Sequence, residues 1–186
     1  MSGMQIPVRE LSRLERPALE RHFLALSAED RRLRFGASLN DFALRAYVAR
    51  IDFGSDAAFG VFDDHLHLVG AAHLGRSDGH AELGVSVLQG HRGRGVGGAL
   101  LARAHLHARN WGVRQLFMHC LTENSAMMHL ARKQGMAMVA SSGEADAWLG
   151  LPPADASSLF GAVFEQRVAL FDYALKQGRA LLGREI

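Results

Sequence analysis

The sequence predicts a mixed α/β domain, in which a mainly antiparallel sheet is flanked by helices and followed by one long C-terminal helix. Three runs of strand-forming residues, at 57–62, 66–74 and 81–88, are separated only by short turns, and short turns join antiparallel neighbours. Helical periodicity precedes these runs and resumes after them. A length of 186 residues suits one domain with one well-buried core.

The part of the chain before these strands is predicted to be mainly helical. Pro17 is typical of a first helical position, and Ser27 with Asp30 three residues later is typical of a helix N-cap. The arginines between residues 13 and 50 are interleaved with acidic residues, which indicates a solvated helical face. The predicted elements are a short strand over 5–11 and helices over 17–26, 27–34 and 40–51.

After the central strands, the chain alternates between helical and strand patterns. Gly112 and Gly135 are placed to end two helices, with Asn124 or Thr122 as the cap of the second. The predicted elements are a helix over 96–111, a strand over 115–121, a helix over 124–135, a hairpin over 136–140 and 145–151, and a final helix.

The C-terminal helix carries an apolar stripe that has to be covered. Pro152 and Pro153 separate a compact body, residues 1–153, from this segment, residues 154–186. The stripe is expected to pack on the body or on a partner subunit, including a second copy of the chain. Its members are Phe160, Phe164, Val168, Phe171, Leu175 and Leu182.

Composition narrows the class of protein. The formal net charge is +2 and arginine is dispersed along the chain, which favours an anionic ligand over nucleic acid. The apolar runs are too short to span a bilayer, and the first residues lack a signal-peptide pattern. The lone Cys120 cannot form an internal disulfide, so the expected compartment is the reducing cytoplasm.

A glycine-rich segment, QGHRGRGVGGALL from Gln89 to Leu101, lies between the third central strand and a helix. Glycine permits close backbone approach, and a helix N-terminus attracts anions. The segment therefore predicts a phosphate or pyrophosphate site. Gly93, Gly95 and Gly98 also fit a dinucleotide-binding fingerprint, but that motif normally opens a parallel α/β fold, whereas here antiparallel strands precede it. A glycine-rich turn without a ligand is the remaining alternative.

Two motifs in this region resemble the GNAT superfamily, whose members transfer acyl groups from acyl-coenzyme A to amines. Arg92, Gly95 and Gly97 fit its R/Q-x-x-G-x-G/A signature. The segments LSAEDRRLRF, at 26–35, and NSAMMHLARKQGM, at 124–136, look most like the bacterial protein-lysine acetyltransferases. The downstream helix also matches the family pattern at Asn124, Leu130, Lys133 and Gly135.

The resemblance implies a splayed sheet, with acetyl-CoA bound where two central strands separate. Val87 and Leu88 would hold the pantetheine arm through their backbone, with Asn124 on its other side. A backbone amide of the same strand would polarise the thioester carbonyl. The pyrophosphate would rest on the loop formed by Arg92, Gly93, Arg94, Gly95, Val96, Gly97 and Gly98.

Glu82 is the predicted general base for a primary amine acceptor. It comes early in the strand that leads into the loop, where family bases are often found; the alternative is a solvated carboxylate at a sheet edge. Asp78 and His80 are less favoured because they flank a turn. The tyrosine that many members use as general acid falls at Ala131, which leaves Ser125, His129 or water and keeps a non-catalytic acyl-CoA sensor as an alternative function.

The remaining reactive side chains are not predicted to bind a metal or to act as nucleophiles, and the histidines are expected at the surface or in the substrate cleft. His65, His67 and His73 lack cysteine or carboxylate partners at matching spacing, so no metal site is predicted. Cys120 is expected to be a small core residue, because direct transfer needs no covalent enzyme intermediate. The acceptor is expected to be recognised by residues 26–51 and 140–151, whose sequence does not specify which amine binds.

Overall fold

The computed structural model describes residues 6–182 of the chain. Short 3-10 turns precede α1 and follow β4. The strands are β1 (Arg9–Leu11), β2 (Ala57–Phe62), β3 (Leu68–Ser77), β4 (His80–Val87), β5 (Gln115–Leu121), β6 (Ala137–Ser141) and β7 (Glu144–Gly150). The helices are α1 (Arg16–Leu24), α2 (Ala28–Phe35), α3 (Asp41–Arg50), α4 (Val96–Asn110), α5 (Ser125–Lys133) and α6 (Ala156–Leu182).

All seven strands form one sheet in the order β1-β2-β3-β4-β5-β7-β6. Every neighbouring pair is antiparallel except β4 and β5, which are parallel and joined through α4. The prediction of a mixed, mainly antiparallel sheet is therefore confirmed. The first strand begins later than predicted, at Arg9, and Pro7 lies before it. Residue 5 lies outside the described residues.

The sheet splays open at its centre. β4 and β5 pair over only three residue pairs, from His80 with Gln115 to Glu82 with Phe117. Beyond this point β4 continues to Val87 and β5 to Leu121 without pairing to each other. The separation predicted from the family resemblance is confirmed, and it leaves backbone groups of β4 facing a cleft.

Helices cover both faces of the sheet. α4 packs on one face through Leu100 and Leu101, which are 0% and 1% exposed. On the other face, α1 and α3 contribute Phe23 and Leu44 to a second apolar cluster. Because β2 is buried along its whole length, it forms the centre between the two clusters.

Local signals account for several helix ends. Ser27 caps α2 by accepting a hydrogen bond from Asp30 N at 3.1 Å, and Asn40 caps α3 in the same way. Asn124 is the cap of α5, accepting from Met127 N at 3.1 Å. These caps satisfy amides that have no partner within their helix.

The prediction that the early arginines form a solvated face is wrong for Arg16 and Arg31, and also for Arg34, which lines the cavities described below. Arg16 donates to the backbone oxygens of Val48 and Ile51. Arg31 donates to three backbone oxygens where α1 ends and α3 begins, and also pairs with Asp41 at 2.8 Å. These guanidinium groups satisfy loop carbonyls, so they hold α1, α2 and α3 together.

α6 is attached along the β1 edge but leaves its apolar stripe uncovered. Ala169 is buried, and Tyr173 meets Phe62 edge to face with ring centroids 4.8 Å apart. Phe160 and Phe171, in contrast, are 77% and 67% exposed. Among the described helices, none is both long and apolar enough to cross a membrane.

Candidate active site

The cleft between the separated strands has a volume of about 610 Å³. The end of β4 forms one wall, from Val85 to Val87, and α5 with its N-cap forms the other, from Asn124 to Lys133. The glycine-rich loop closes one end, and Asp30 and Arg34 of α2 also line the cavity. We call this cavity the donor cleft.

The sheet register determines which backbone groups of β4 face the donor cleft. Leu88 N donates to Val69 O at 2.9 Å, so Val87 and Gly70 form a non-hydrogen-bonded antiparallel pair. Alternation along β4 then turns the peptide groups of Ser86 toward β3 and those of Val85 and Val87 toward the cleft. The amide of Val85 is thereby available to a carbonyl oxygen bound in the cleft.

The glycine-rich loop places open amides at one end of the donor cleft. Gly93 and Gly95 have φ values of +71° and +85°, a backbone conformation that favours glycine. Gly95 is the N-cap of α4 and provides no side-chain cap. The first amides of α4, at Val96, Gly97 and Gly98, have no acceptor within the helix. These amides and the helix dipole together form a cradle for a phosphate group.

The predicted loop arginines have different surroundings. Arg92 pairs with Asp30 at 2.7 Å, and its Nε donates to Val87 O at 2.9 Å. This pair connects the loop to α2 across the cleft. Arg94 is exposed and does not line the cavity.

Two further predicted cofactor contacts already have partners within the chain. Leu88 donates its amide to Val69 O, and its carbonyl accepts from His91 N at 2.9 Å. Asn124 lines the donor cleft and is 8% exposed. Its amide nitrogen donates to Leu33 O at 3.3 Å while its oxygen caps α5, so Asn124 connects α5 to α2.

A second cavity of about 280 Å³ adjoins the donor cleft on the α2 and α3 side of the sheet. Glu82 and Gly84 of β4 contribute to its floor, and Arg34 lines both cavities. Glu82 is exposed at this site. The other side chains around this cavity, which we call the acceptor pocket, include Tyr47, His73 and His119.

A directed chain of hydrogen bonds runs behind the acceptor pocket. Arg34 Nη2 donates to Tyr47 Oη at 3.2 Å, and Tyr47 contacts His73 Nδ1 at 2.7 Å. Because the tyrosine oxygen accepts from Arg34, its own proton is free to be donated to Nδ1. The protonated Nε2 of His73 then donates to Asp56 at 3.2 Å. Burial is the largest cause that lowers the pKa of His73, so the neutral ring is favoured.

No local sequence pattern predicts this series of hydrogen bonds, because its members come from separate elements. Arg34 lies on α2, Tyr47 on α3 and His73 on β3, while Asp56 precedes β2. Only an alignment of related sequences showing correlated residues could have linked them in advance.

A buried histidine supports the end of β4. His22 is 2% exposed, and its Nδ1 lies 2.9 Å from Leu68 O. Since a carbonyl oxygen can only accept, Nδ1 carries the proton and Nε2 accepts from Ser86 Oγ at 2.8 Å. Burial lowers the pKa of His22 to about 4, which keeps the ring neutral beneath the donor cleft.

Ser125 and His129 both line the donor cleft, whereas Ala131 is fully buried in the core. Cys120 is 4% exposed, and burial raises the pKa of its thiol. Its prediction as a core residue is confirmed.

Asp78 and His80 flank the turn before β4 as expected, and neither lines the donor cleft.

Within residues 6–182, no cluster of three or more histidine, cysteine or acidic side chains is arranged to hold a metal. His67 instead lies 3.3 Å from Asp63.

Comparison with solved structures finds the same fold in several acetyltransferases. The GNAT domain of S. lividans PAT matches with a TM-score of 0.66 and 21% identity, over 77% of this chain and 89% of that domain. Spermidine N-acetyltransferase from Vibrio cholerae, in complex with CoA and spermine, matches with a TM-score of 0.62 and 18% identity, over 78% and 95% of the two chains. Ribosomal-protein-alanine N-acetyltransferase from Brucella melitensis matches with a TM-score of 0.60 and 19% identity, over 77% and 99%.

Comparison at the level of sequence identifies the family. A search of curated proteins gives no match. The model of the acetyltransferase (GNAT) family, however, matches residues 13–136. That segment includes the glycine-rich loop, the splayed strands and α5. Because the match covers more than half of the chain, this protein belongs to the GNAT family of acetyltransferases.

Proposed function

We propose that this protein transfers an acetyl group from acetyl-CoA to a primary amine by direct attack within a ternary complex. The main supporting observation is that the donor cleft and the acceptor pocket adjoin one another where β4 separates from β5. An amine in one cavity and a thioester in the other can therefore meet without a covalent enzyme intermediate. Acetyl-CoA supplies the activated acetyl group.

In this proposal the chain's own residues hold the donor from both ends. The open amides from Val96 to Gly98 bind the pyrophosphate, and Gly93 and Gly95 give the loop its shape. The backbone of Val85 and Val87 lines the gap used by the pantetheine arm. In the proposal Arg94 approaches the phosphates from solvent, whereas Arg92, Leu88 and Asn124 support the walls through the partners described above.

Glu82 is the proposed base, acting directly or through one water. A lysine-type amine has a pKa of about 10.4 and is protonated near neutral pH, so it must lose a proton before it attacks. Glu82 is the acidic residue on β4 at the acceptor pocket. The nitrogen–carbon bond then forms as the carbon–sulfur bond breaks, while the amide of Val85 stabilises the oxygen that gains negative charge.

The departing thiolate needs no dedicated side-chain acid. A thiol with a pKa of about 8.5 is a good leaving group near neutral pH. Ser125 and His129 line the donor cleft, so either of them or water can return the proton. Ala131, which replaces the family tyrosine, does not reach this cavity.

The test is a thiol-release assay with acetyl-CoA and a panel of amines, accompanied by thermal unfolding with and without acetyl-CoA. We expect acetyl-CoA to raise the melting temperature, because it binds only the folded state. Glu82→Gln should retain this shift and lose rate near neutral pH, while Asp64→Asn, an exposed acid in the β2–β3 turn, should retain both. An unchanged pH–rate profile in Glu82→Gln removes Glu82 from the mechanism.

A non-catalytic acyl-CoA sensor is the second candidate function, and the buried Ala131 favours it. A sensor would show the thermal shift with acetyl-CoA but release no thiol with any amine. Among catalytic acceptors, we propose a protein lysine, on the strength of the segments 26–35 and 124–136 and the likeness to the GNAT domain of S. lividans PAT. Acetylation of lysine-containing peptides tests that choice.

We further propose that α6 forms a homodimer through its exposed stripe. Three phenylalanines, Phe160, Phe164 and Phe171, are 65–77% exposed, and at about 150–250 Å² each they present roughly 400 Å². Aliphatic neighbours such as Leu175 extend this surface toward the roughly 800 Å² per partner of a standard interface. Phe164→Glu should shift sedimentation from dimer to monomer, whereas Gln177→Glu on the same helix should not; a monomeric wild type contradicts the proposal.

The proposed compartment is the cytoplasm, since a reducing environment suits a chain whose lone cysteine is a buried thiol.

A further inference from the structure

We propose that the acceptor amine carries a neighbouring carboxylate, which binds the guanidinium of Arg34 in the acceptor pocket. This inference rests on the proposed acetyl transfer and specifies the chemical class of its acceptor.

Arg34 lies directly on the backbone of β4 at the junction of the two cavities. A Cβ added to Gly84 would be only 2.0 Å from Cζ and Nη2 of Arg34. The guanidinium can occupy this place only because residue 84 has no side chain. Since Arg34 lines both cavities, its charge lies beside the path that the amine takes to the thioester.

The guanidinium of Arg34 has spare hydrogen-bonding capacity. Its Nη2 uses one N–H group on Tyr47, which leaves the outer N–H groups of Nη1 and Nη2 for a ligand. Its Nε is buried without a hydrogen-bond partner in the described part of the chain. A guanidinium offers five N–H donors and remains charged at all ordinary pH values. Its Cζ lies 4.7 Å from the centroid of the Phe35 ring, a cation–π contact that helps to hold the guanidinium in place.

Neighbouring arginines show how this chain satisfies such groups elsewhere. Arg31 and Arg32, on the same helix as Arg34, pair with Asp41 and Glu123 at 2.8 Å and 2.6 Å. No ion pair found within residues 6–182 includes Arg34. A partly buried charge is favourable only when it is paired, so a carboxylate from outside the chain is the expected partner.

The acceptor pocket combines this cation with an anion at a suitable separation. Glu82 and Gly84 lie on the same face of β4, two residues apart, which corresponds to about 7 Å along a strand. The pocket volume of about 280 Å³ accommodates a small zwitterion. An ammonium group would face Glu82 while its carboxylate faces Arg34. A polyamine would instead bring a second positive charge toward Arg34, which costs free energy.

One guanidinium favours a carboxylate over a phosphate dianion. A single fork matches one carboxylate through two parallel hydrogen bonds, and Glu82 would repel a second negative charge. The carboxylate can belong to a free amino acid or to an acidic residue beside a lysine in a peptide. The two sources have the same recognition chemistry, and the acceptor series below separates them.

The experiment compares each amino acid with the amine that lacks its carboxylate, for example phenylalanine with phenethylamine and lysine with cadaverine. Capped lysine peptides with Glu or Gln beside the lysine form the third pair. In thiol-release assays we expect kcat/KM to be about tenfold to hundredfold higher for the preferred carboxylate-bearing member, the range for hydrogen bonds to a charged group. The pair with the largest preference identifies the source of the carboxylate.

Arg34→Gln should abolish this preference by raising KM for the carboxylate-bearing acceptor, while kcat/KM for the matched amine stays unchanged within about twofold. Arg34→Lys keeps the charge without the fork and should restore part of the preference. Arg32→Gln, on the outer side of the same helix, should leave the preference intact. The acetyl-CoA-induced thermal shift should be unchanged in all three variants, which checks folding and donor binding.

Calorimetric titration of the same pairs in the presence of CoA supplies a readout that does not need turnover. A carboxylate preference that disappears in Arg34→Gln supports the inference even if no thiol is released, in which case the proposed acetyl transfer alone fails. Equal binding and equal rates within every pair overturn the inference while acetyl transfer stands. A loss of CoA affinity in Arg34→Gln also overturns it, because Arg34 would then belong to the donor site.

Discussion

Lowering the pH should destabilise this protein through His22, the neutral histidine buried beneath the donor cleft. Its pKa is lowered to about 4 because burial disfavours the charged ring, and the nearby charge of Arg34 acts in the same direction. The hydrogen bond to Leu68 O opposes this shift only in part. Protonation would place a second donor opposite Ser86 and a charge in the core.

The direction in which stability changes with pH follows from the pKa of His22 in the folded chain and in the unfolded chain. An unfolded histidine titrates at about 6.5, so between about pH 6.5 and about pH 4 the unfolded chain binds the proton and the folded chain does not. Stability therefore rises with pH across this window and is lost as the pH falls through it. A pKa of about 4 in the folded chain against about 6.5 in the unfolded chain corresponds to about 3 kcal/mol of stability in full, of which about 2 kcal/mol is lost by about pH 5.

The assay is urea unfolding of the wild type and of His22→Gln at about pH 7.5 and about pH 5. His73, His105 and His107 also have lowered pKa values, so the overall acid sensitivity of the wild type does not isolate His22. The difference in stability loss between the wild type and His22→Gln isolates the contribution of His22. We expect the wild type to lose about 2 kcal/mol more than His22→Gln over this interval.

The control variant is His65→Gln, which changes an exposed histidine in the β2–β3 turn. It should follow the wild type at both pH values. If the wild type and His22→Gln lose equal stability within about 0.5 kcal/mol, the assignment of His22 as a buried neutral group is refuted.

Three further predictions concern packing and the loop. Gly70→Ala places a Cβ 2.6 Å from Val96 and should cost about 1–3 kcal/mol in urea unfolding; Gly150→Ala, which meets nothing within 4 Å, should not. In Gly95→Ala the alanine must adopt a φ of +85°, so the variant should lose about 1 kcal/mol of stability. Its affinity for acetyl-CoA, measured by calorimetry, should also fall. An unaltered affinity would show that the shape of the loop at Gly95 is not needed for binding. Cys120 should react with a thiol reagent in urea far faster than in the native state, because it is 4% exposed and its pKa is raised by burial; equal rates would contradict its burial.

The sequence alone was sufficient for most of the fold because its signals are local. Alternating strand patterns and short turns predicted β2, β3 and β4, and β5 spans Gln115–Leu121 as expected. The caps at Ser27 and Asn124 depend on side chains within three residues of the amides that they satisfy. The glycine-rich loop was also predictable from the sequence, because positive φ values and open amides follow directly from residue type and position.

Tertiary structure decided which charged residues face the site. Three arginines lie within four residues of α2, and their spacing does not distinguish them. Arg31 nevertheless donates to loop carbonyls, Arg32 pairs with Glu123, and Arg34 lines the acceptor pocket. Their partners come from distant parts of the chain, so no local pattern could assign them. The exposed stripe of α6 is a similar case, because periodicity defines an apolar face without specifying what covers it.

The sequence by itself thus determined the elements of the GNAT fold, the phosphate cradle and Glu82 as the candidate base. Only the folded chain revealed the buried His22 and the guanidinium of Arg34 lying on Gly84. The physical reason is that helix and turn formation depend on neighbouring residues. The pairing of a buried charge depends instead on which surfaces the whole sheet brings together.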